Sequence, residues 1–384
     1  MLRTSLDALP ASRIREVANA AMGRDDVVKF WFGEGDLPTP QFIRDAAKAS
    51  LDEGHTFYNQ NLGLPELRKA IAGYCTRLHG VDIGDDRICV TSAGVNGLAL
   101  VSQALVESGD RVVIVTPVWP NLTSQPAIMG GEVVRLALEC RDGVWSLDLQ
   151  KLLDAARPGT RMVLVNSPNN PTGWTMPQAD WQTLLAHCRR HGIWLVSDDA
   201  YERVVFTGAP KSTGVTALVD PDERYISANT FSKTWTMTGW RLGWLLAPRP
   251  FINGFPKMVE FNTSCAPSFV QHAGVVAIRD GEQLIVETQA RLRRARDLLV
   301  RRLQEIPGVE AAAPDGAMYL FFRAPGRSDD SLAFCKRLVL EAGLGLAPGV
   351  AFGPEGEGYV RWCFAATEPL IEQGVERLAK FLRK

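Results

Sequence analysis

Between about residues 87 and 250, short aliphatic runs rich in Val, Ile and Leu alternate with helix-length segments. Seven of these runs predict strands: RICVTS, RVVIVTP, EVVRLAL, RMVLVNSP, IWLVSDD, RYISANT and GWLLAP. Segments 95–107 and 178–191 predict two of the helices between them. Strands that are apolar on both faces and separated by helices are typical of a mostly parallel sheet covered on each side. The pattern therefore predicts an α/β fold with a mostly parallel seven-stranded sheet and helices on both faces.

Polar turns follow several of the predicted strands. In chain order they read TSAGVN, TPVWPN, NSPNNPTG, SDDAY and NTFSKT, and each ends or directly follows an apolar run. Ligands of open α/β sheets bind beyond the carboxyl ends of the strands, where such turns lie. We expect these turns to contribute to one binding site.

The character of the chain changes after about residue 280. Segment 282–306 predicts a long basic helix, followed by short strands around AMYLFF and GYVRWCF and a final helix at 368–382. These elements indicate a smaller α+β unit. Because the first 40 or so residues contain no complete domain, we expect them to pack against it. The predicted boundaries are an N-terminal segment at 1–45, a large domain at 46–280 and a small domain at 281–384.

Composition and charge narrow the classes of partner. Of the 384 residues 46% are hydrophobic and 22% charged, which is ordinary for a globular chain with a large core. A formal net charge of −1 disfavours nucleic acid or an anionic membrane as partner, since both attract basic proteins. The N-terminal residues lack the apolar core of a signal peptide. Seven scattered cysteines without a CxxC pair disfavour a disulfide framework and favour a reducing cytoplasm.

One mostly apolar stretch, NTFSKTWTMTGWRLGW at 229–244, holds two cations, Lys233 and Arg241. Burying a cation without a partner is costly, so both side chains call for an explanation. Desolvation and a neighbouring cation lower the pKa of a lysine, and such an amine can form a Schiff base with an aldehyde. Taken alone, Lys233 is better explained as a surface lysine in a loop, but the neighbouring turns change that interpretation.

Two of those turns carry side chains suited to a ligand. Asp198 ends the run IWLVSDD, so we expect its carboxylate at the binding edge, where a pyridinium nitrogen is one partner and a helix cap is the alternative. For Asp199 we favour the capping role, because successive residues point in different directions. Asn170 precedes Pro171, which holds it in an extended or turn geometry and leaves its amide for a ligand. A plain loop is the alternative interpretation for Asn170.

The turn TSAGVN, at 91–96, opens a predicted helix, and free N–H groups at such a place favour phosphate. It lacks a Walker-A lysine and the full G-x-G-x-x-G spacing, so the signal is weak by itself. Arg241 would supply the positive charge that a phosphate requires, and Trp119 offers a flat face for a planar ring unless it packs in the core. A phosphate site, an acid for a pyridine nitrogen and an aldehyde-binding lysine together describe pyridoxal 5′-phosphate.

The order and spacing of seven motifs make a family resemblance explicit. They are FGEGDLPTP (32–40), FYNQNLGLPELRKAI (57–71), NSPNNPTG (166–173), SDDAY (197–201), FSKTWTMTGWRLGW (231–244), DGAMYLF (315–321) and PGVAFGPEGEGYVRWCFA (348–365). Over nearly its whole length the chain resembles the class I/II aminotransferases of the fold type I group of pyridoxal-phosphate enzymes. The resemblance implies a second, smaller α+β domain built from the C-terminus and the N-terminal segment. It also implies transfer of an amino group between an L-amino acid and a 2-oxo acid through a Lys233 Schiff base.

The resemblance assigns the cofactor ring to five residues. Lys233 matches the Schiff-base lysine, which also moves a proton during the reaction. Asp198 matches the partner of the pyridinium nitrogen, and Trp119 matches the stacking aromatic. Tyr201 and Asn170 match the residues that bind the ring hydroxyl. Lys233, Asp198 and Tyr201 are therefore the expected catalytic residues.

The resemblance also assigns the phosphate of the cofactor. The expected contacts come from the side chains of Thr230 and Arg241 and from the backbone at Ala93, Gly94 and Val95. No metal ion is expected at this site.

Substrate binding and assembly are implied in the same way. Arg361 matches the arginine that binds the substrate α-carboxylate, with Gly33 and Asn170 beside it. Tyr58 matches a tyrosine that reaches the phosphate of the neighbouring subunit. The resemblance therefore implies a homodimer with shared active sites.

Two positions depart from patterns that are common in the family. SDDAY stands where many relatives have SDE-x-Y, although the spacing of Asp198 and Tyr201 is kept. At 95–96 the chain has Val-Asn where some relatives have Lys-Gln or Ala-Gln near the distal end of the substrate. This difference puts a preference for dicarboxylic substrates in doubt.

Other functions fit parts of the sequence. The same cofactor site supports a carbon–sulfur β-lyase, a racemase or a decarboxylase, of which the β-lyase is the main alternative. A non-enzymatic regulator with this fold would need a DNA-binding module, for which motifs starting at residue 32 leave no room. His187 and His191 flank Cys188 at a spacing that can bind zinc, but basic residues at the end of a predicted helix explain them better.

Overall fold

The computed structural model describes residues 4–7 and 9–383. The helices are α1 Thr4–Asp7, α2 Arg13–Asn19, α3 Gln41–Asp52, α4 Pro65–His79, α5 Gly94–Leu105, α6 Asn121–Ile128, α7 Leu149–Ala155, α8 Gln178–His191, α9 Phe231–Thr234, α10 Arg249–Gly254, α11 Pro256–Glu260, α12 Ser268–Asp280, α13 Glu282–Gln304, α14 Ser331–Arg337 and α15 Glu368–Leu382. The strands are β1 Val28–Lys29, β2 Ile88–Thr91, β3 Arg111–Thr116, β4 Glu132–Ala137, β5 Glu139–Arg141, β6 Val144–Ser146, β7 Thr160–Asn166, β8 Trp194–Asp198, β9 Tyr225–Thr230, β10 Gly243–Leu246, β11 Tyr319–Arg323, β12 Leu344–Gly345, β13 Ala347–Pro348 and β14 Tyr359–Cys363.

The seven strands predicted from the aliphatic runs form one sheet, in the order β2-β10-β9-β8-β7-β3-β4. Neighbours pair in parallel except for β10, which runs antiparallel to both β2 and β9. The prediction of a mostly parallel seven-stranded sheet is therefore confirmed.

Alternate residues of the central strands point into two different apolar layers. On β3, Val112 and Ile114 pack in one core, whereas Val113 and Val115 pack in the other. All four side chains are fully buried, as expected for a strand covered by helices on both faces. This is why these strands read as continuous aliphatic runs rather than as alternating ones.

Local sequence explains the ends of several helices. The predicted helix 178–191 forms as α8 and ends at Gly192, whose φ of 66° is the left-handed conformation that glycine adopts without strain. The predicted helices 95–107 and 282–306 form with ends shifted by one or two residues, as α5 and α13. The final helix, α15, has the predicted bounds.

The C-terminal part forms the smaller α+β layer, with a three-stranded antiparallel sheet in the order β11-β14-β13. The N-terminal segment joins it, because β1 pairs with β12 and places Val28 opposite Leu344. Ile14 and Val17 of α2 are buried in the same core as the C-terminal strands. The boundaries at 45 and 280 stay a prediction. No helix in the described part of the chain combines the length and apolar character needed to cross a membrane.

Candidate active site

The register of the large sheet brings several polar strand ends to one edge. Asn166 at the end of β7 pairs with Asp198 at the end of β8. Gly243 of the antiparallel strand β10 lies opposite both Thr91 and Thr230, the last residues of β2 and β9. The turns that follow β2, β7, β8 and β9 therefore begin next to one another.

Lys233 lies in α9, the single helical turn that follows β9. Thr230 caps this turn, since its Oγ1 accepts a hydrogen bond from the Ser232 amide at 3.1 Å. The Lys233 ammonium donates a hydrogen bond to the carbonyl oxygen of Gly33. Burial lowers the pKa of Lys233 to about 8, and the cations Arg361 and Arg241 lower it further, against the opposing effects of Cys363 and Glu34. The lowered pKa predicted for this amine is confirmed in direction.

Asp198 is the last residue of β8 and is buried. One carboxylate oxygen accepts a hydrogen bond from the Ala200 amide at 3.2 Å, so part of the capping alternative is present. Burial raises the pKa of Asp198 to about 7, and the charge of Asp199 adds to this, whereas the backbone bond and Lys233 oppose it. A buried acid with one weak donor is suited to a cationic partner.

Arg361 lies on β14 and is almost fully buried. Its Nη1 donates to Asn170 Oδ1 at 3.0 Å, and its Nη2 donates to the carbonyl oxygen of Trp31. The guanidinium carbon lies 4.4 Å from the ring centre of Tyr319 and 4.9 Å from that of Phe352. Among the described residues its Nε has no hydrogen-bond partner. The amide oxygen of Asn170 is therefore engaged, and its nitrogen is the half left for a ligand.

Two tyrosines complete the wall beside Lys233. The hydroxyl of Tyr201, which follows β8, lies 2.6 Å from that of Tyr319 on β11, and both rings are buried. A Cβ added to Gly33 would lie 2.2 Å from the Tyr319 hydroxyl, so only glycine fits there. Burial raises the pKa of Tyr201 well above its ordinary value. Gly33, Tyr201 and Lys233, which are far apart in the sequence, thus share one wall.

The turn after β2 has the form expected of an anion site. Ala93 has a φ of 93° and precedes α5, whose first N–H groups have no partner within the helix. A Cβ on Gly243 would lie 2.5 Å from the Gly94 nitrogen, so the backbones of the two strand ends are in close approach. Thr230 Oγ1 donates to Ser232 Oγ at 2.9 Å. Ala93, Gly94, Val95 and Thr230 therefore meet at one turn.

Three further residues predicted to belong to the site are Trp119, Arg241 and Tyr58, and each of them is at least partly exposed. Trp119 is partly buried, and its amide donates to the Asn170 carbonyl at 2.9 Å, which joins the turns after β3 and β7. Arg241 is exposed, contrary to the burial that its apolar surroundings suggested. Its φ of 52° belongs to a left-handed turn before β10, where its Nη1 donates to the Thr238 carbonyl. Tyr58 is 92% exposed in this single chain.

Several residues of the site were missed from the sequence. Tyr319, Phe352 and Trp31 all contact Arg361, yet no role was expected for them. Tyr319 and Phe352 stand inside motifs noted above, DGAMYLF and PGVAFGPEGEGYVRWCFA, which was the one available signal. His187, for which zinc binding was the less favoured interpretation, makes a 2.7 Å contact with the Ala156 carbonyl.

Comparison with known proteins agrees with this arrangement. Residues 26–378 match the family described as aminotransferase class I and II. An aspartate aminotransferase of Pyrococcus horikoshii is 34% identical over 97% of this chain and 94% of its own length. Aromatic-amino-acid aminotransferase 2 of Thermococcus litoralis is 32% identical over 100% of this chain and 98% of its own.

A solved structure is similar over the same range. Aspartate aminotransferase from Thermus thermophilus with maleate matches with a TM-score of 0.91 and 30% identity, covering 99% of both chains. The likeness extends over the large sheet, the small sheet and the N-terminal segment together. This chain belongs to the class I and II aminotransferase family.

Proposed function

We propose that this protein transfers an amino group between an L-amino acid and a 2-oxo acid with pyridoxal 5′-phosphate as cofactor. The observation that carries the proposal is the position of Lys233 in the turn after β9, with its amine on the Gly33 carbonyl, where burial lowers its pKa to about 8. About a tenth of such an amine is unprotonated at pH 7, against roughly 0.04% for an ordinary lysine.

The residues present fit this cofactor. Asp198 is a buried acid with no cationic hydrogen-bond partner in the described part of the chain, which suits a protonated pyridine nitrogen. The close backbone approach at Gly94 and Gly243, at the start of a 12-residue helix, suits a phosphate. The bound cofactor supplies an aldehyde for the amino group and a ring that accepts electrons from the substrate Cα.

The side chains of this protein would move and hold the protons that this chemistry requires. Lys233, once its amine is free, takes a proton from the substrate Cα, and a positioned base of this kind contributes about 10²–10⁴-fold. Asp198 holds the proton on the ring nitrogen. The Tyr201 hydroxyl is held by its hydrogen bond with Tyr319, on the same side of the site as Lys233.

Arg361 would bind the α-carboxylate of the substrate. The aromatic rings of Tyr319 and Phe352 pack against the guanidinium and fix its plane. Its Nη1 and Nη2 each donate one hydrogen bond, to Asn170 and to the Trp31 carbonyl. Each of these two nitrogens, Nη1 and Nη2, carries a second hydrogen, and these are the donors left for a carboxylate. This contact would orient the Cα–H bond toward Lys233.

We also propose a homodimer in which Tyr58 enters the site of the partner. Phe57 and Tyr58, adjacent in the sequence, are 82% and 92% exposed, and two neighbouring exposed aromatic rings favour a surface that a partner covers. The segment is not loose, because Asn59 Nδ2 donates to Ser268 Oγ at 2.7 Å and that hydroxyl donates to the Phe57 carbonyl at 2.9 Å.

Free thiols at all seven cysteines support a cytoplasmic location.

Reductive trapping tests the function. Purified protein is loaded with pyridoxal 5′-phosphate, treated with borohydride and digested, and the cofactor mass is sought on the Lys233 peptide. Lys233→Ala is the control and should fold but carry no label. Label on another lysine, or none on the wild type, would refute the proposal.

A substrate panel separates transfer from elimination. The wild type is given single amino acids with 2-oxoglutarate or pyruvate, and the new amino and oxo acids are measured. Transamination requires the oxo acid. Release of pyruvate and ammonia from a cysteine S-conjugate without added oxo acid would favour the β-lyase.

A further inference from the structure

Asp199 carries a second carboxylate next to Asp198, and the proposed function gives it no role. Its Oδ2 accepts hydrogen bonds from Ser197 Oγ at 2.8 Å and from Ser227 Oγ. Its backbone amide donates to the Ala228 carbonyl at 2.9 Å. The carboxylate therefore bridges β8 and β9 directly behind the strand end that presents Asp198. No helix cap is formed by this side chain, so the capping role expected for Asp199 is wrong.

Each serine hydroxyl has a single hydrogen, which sets the direction of the surrounding hydrogen bonds. Because Ser197 gives its hydrogen to Asp199, the Tyr225 hydroxyl at 2.9 Å must donate to Ser197, and Thr216 at 3.0 Å must donate to Tyr225. Ser227 gives its hydrogen to Asp199 and accepts from Asn229 Nδ2 at 2.8 Å. Two chains of donors thus converge on one carboxylate.

Such convergence stabilises a negative charge on Asp199. The other ionisable groups facing it are Asp198, Glu202, Lys211 and Tyr225, together with the thiol of Cys75. Burial and the neighbouring Asp199 raise the pKa of Glu202 to about 8, so Glu202 keeps its proton at neutral pH.

Two neighbours keep the charge on Asp199. The Glu202 carboxyl lies 3.5 Å from His79 Nε2, and burial lowers the pKa of His79 to about 3, so this imidazole is neutral and adds no positive charge that would ionise Glu202. Burial raises the pKa of Asp199 above its ordinary value, whereas the hydrogen bonds from Ser227 and Ser197 and the charge of Lys211 oppose this rise and favour the ionised form. Asp199 has two hydroxyl donors and the charge of Lys211 to favour its ionised form, so we assign the negative charge of the Asp199–Glu202 pair to Asp199.

We propose that Asp199 is a positioning residue: anchored by Ser197 and Ser227, it holds a fixed negative charge behind Asp198 and so keeps the proton shared by Asp198 and the ring nitrogen of the cofactor bound. The proposal rests on the proposed function, since it concerns the same cofactor. The charge of Asp199 raises the pKa of Asp198, in agreement with this role. A neutral residue at 199 would lower the proton affinity at Asp198 and at the ring nitrogen together.

The test compares Asp199→Asn, which removes the charge, with Asp199→Glu, which keeps it and has the side chain common at this position in SDE-x-Y relatives. Each holoenzyme is prepared with ¹⁵N-labelled pyridoxal 5′-phosphate, and the ring-nitrogen chemical shift is followed with pH. In Asp199→Asn we expect the ring nitrogen to lose its proton at a pH lower by about one unit, a tenfold change in proton affinity. Asp199→Glu should return the wild-type titration.

A merely structural Asp199 would leave this titration unchanged in every variant that folds, and that result would overturn the proposal. If Asp199→Asn does not fold, Ser227→Ala removes one donor and should shift the titration in the same direction by a smaller amount; no shift there would also overturn it. Borohydride labelling of the wild type separates the two ideas. Label at Lys233 with an unchanged Asp199→Asn titration removes only this inference, whereas absence of label removes the proposed function as well.

Discussion

Asn170 and Arg361 meet across 191 positions of sequence, with Nη1 of the arginine 3.0 Å from Oδ1 of the asparagine. The bond joins the turn after β7 of the large sheet to β14 of the small one. It fixes one edge of the guanidinium, while Tyr319 and Phe352 fix its plane. The guanidinium that we propose to bind the substrate is therefore held in place in the absence of a ligand, which would reduce the ordering cost of binding.

Replacing this arginine should weaken substrate binding more than cofactor binding. Arg361→Lys keeps the charge but loses the planar fork and the stacking, so KM for the amino acid should rise by about 100-fold, the loss of a buried charge contact. Steady-state kinetics and a cofactor titration measure the two effects. Arg323→Lys, which alters an exposed ion pair with Glu310, is the control and should change neither. An equal loss of cofactor affinity in Arg361→Lys would contradict the assignment.

A second arginine, Arg135, holds the segment that carries Phe352, one of the two rings packed against Arg361. Arg135 on β4 donates to both carboxylate oxygens of Glu355, at 2.8 and 2.7 Å, and to the Phe352 carbonyl at 3.2 Å. Arg135→Ala should therefore raise KM by about tenfold while changing kcat less, because it loosens the support of Arg361. Arg111→Ala, which removes a looser 3.4 Å pair with the exposed Glu132, is the matched control. Equal kinetics for both variants would show that this segment does not depend on Arg135.

Gly33 should tolerate no side chain. In Gly33→Ala the new Cβ would lie 2.2 Å from the Tyr319 hydroxyl, so the carbonyl that receives the Lys233 bond must move. We expect kcat/KM to fall by about 10- to 100-fold, in line with the cost of misplacing a reacting group. Gly35→Ala, whose nearest contact is at 3.6 Å, is the control. Adding Tyr319→Phe to Gly33→Ala should restore part of the loss, and its failure to do so would place the clash elsewhere.

The stability of the cofactor-free protein should depend on the ionisation of Asp198. With a pKa of about 7 in the folded state and near 4 when unfolded, the folded protein binds the extra proton between these values. Its free energy of unfolding therefore falls as pH rises from about 4 to about 7. Asp198→Asn has no such ionisation and should be more stable than the wild type by a few kcal/mol above pH 7, with little difference near pH 4.

Urea unfolding of both apoproteins at several pH values measures this difference. Asp154→Asn, at an exposed carboxylate bonded only to Gln150 at 2.8 Å, serves as the control and should run parallel to the wild type. If the stability of Asp198→Asn also runs parallel to that of the wild type across pH, the Asp198 carboxyl of the wild-type apoprotein is not desolvated.

The proposed sharing of active sites between subunits predicts complementation between two inactive variants. Tyr58→Ala and Lys233→Ala dimers should each be nearly inactive. Mixing and reassociating them should restore about a quarter of wild-type activity, because half of the dimers are mixed and each mixed dimer has one intact site. Sedimentation of the wild type checks the dimer directly. A monomer at micromolar concentration, or no restored activity, would remove the role of Tyr58 in the partner's site.

The pattern of apolar and polar residues along the chain was sufficient to predict the strands of the large sheet and the order of the polar turns that follow them. Aliphatic runs predict strands because a covered parallel strand buries both faces, and all seven runs formed. Strand-end residues such as Asp198 and Thr230 could be named because their position depends only on where a strand ends. Lys233, one helical turn later, follows from the same local rule.

Contacts between distant segments were decided by the tertiary structure. The bond from Lys233 to the Gly33 carbonyl, the Tyr201–Tyr319 pair and the Trp31 contact of Arg361 join parts of the chain that no short window contains. The exposure of Arg241 likewise depends on a left-handed turn and its neighbours, not on the apolar residues around it in sequence. Hydrophobic periodicity is a property of each segment and can be read in one dimension, whereas desolvation and hydrogen bonding depend on which segments fold against one another.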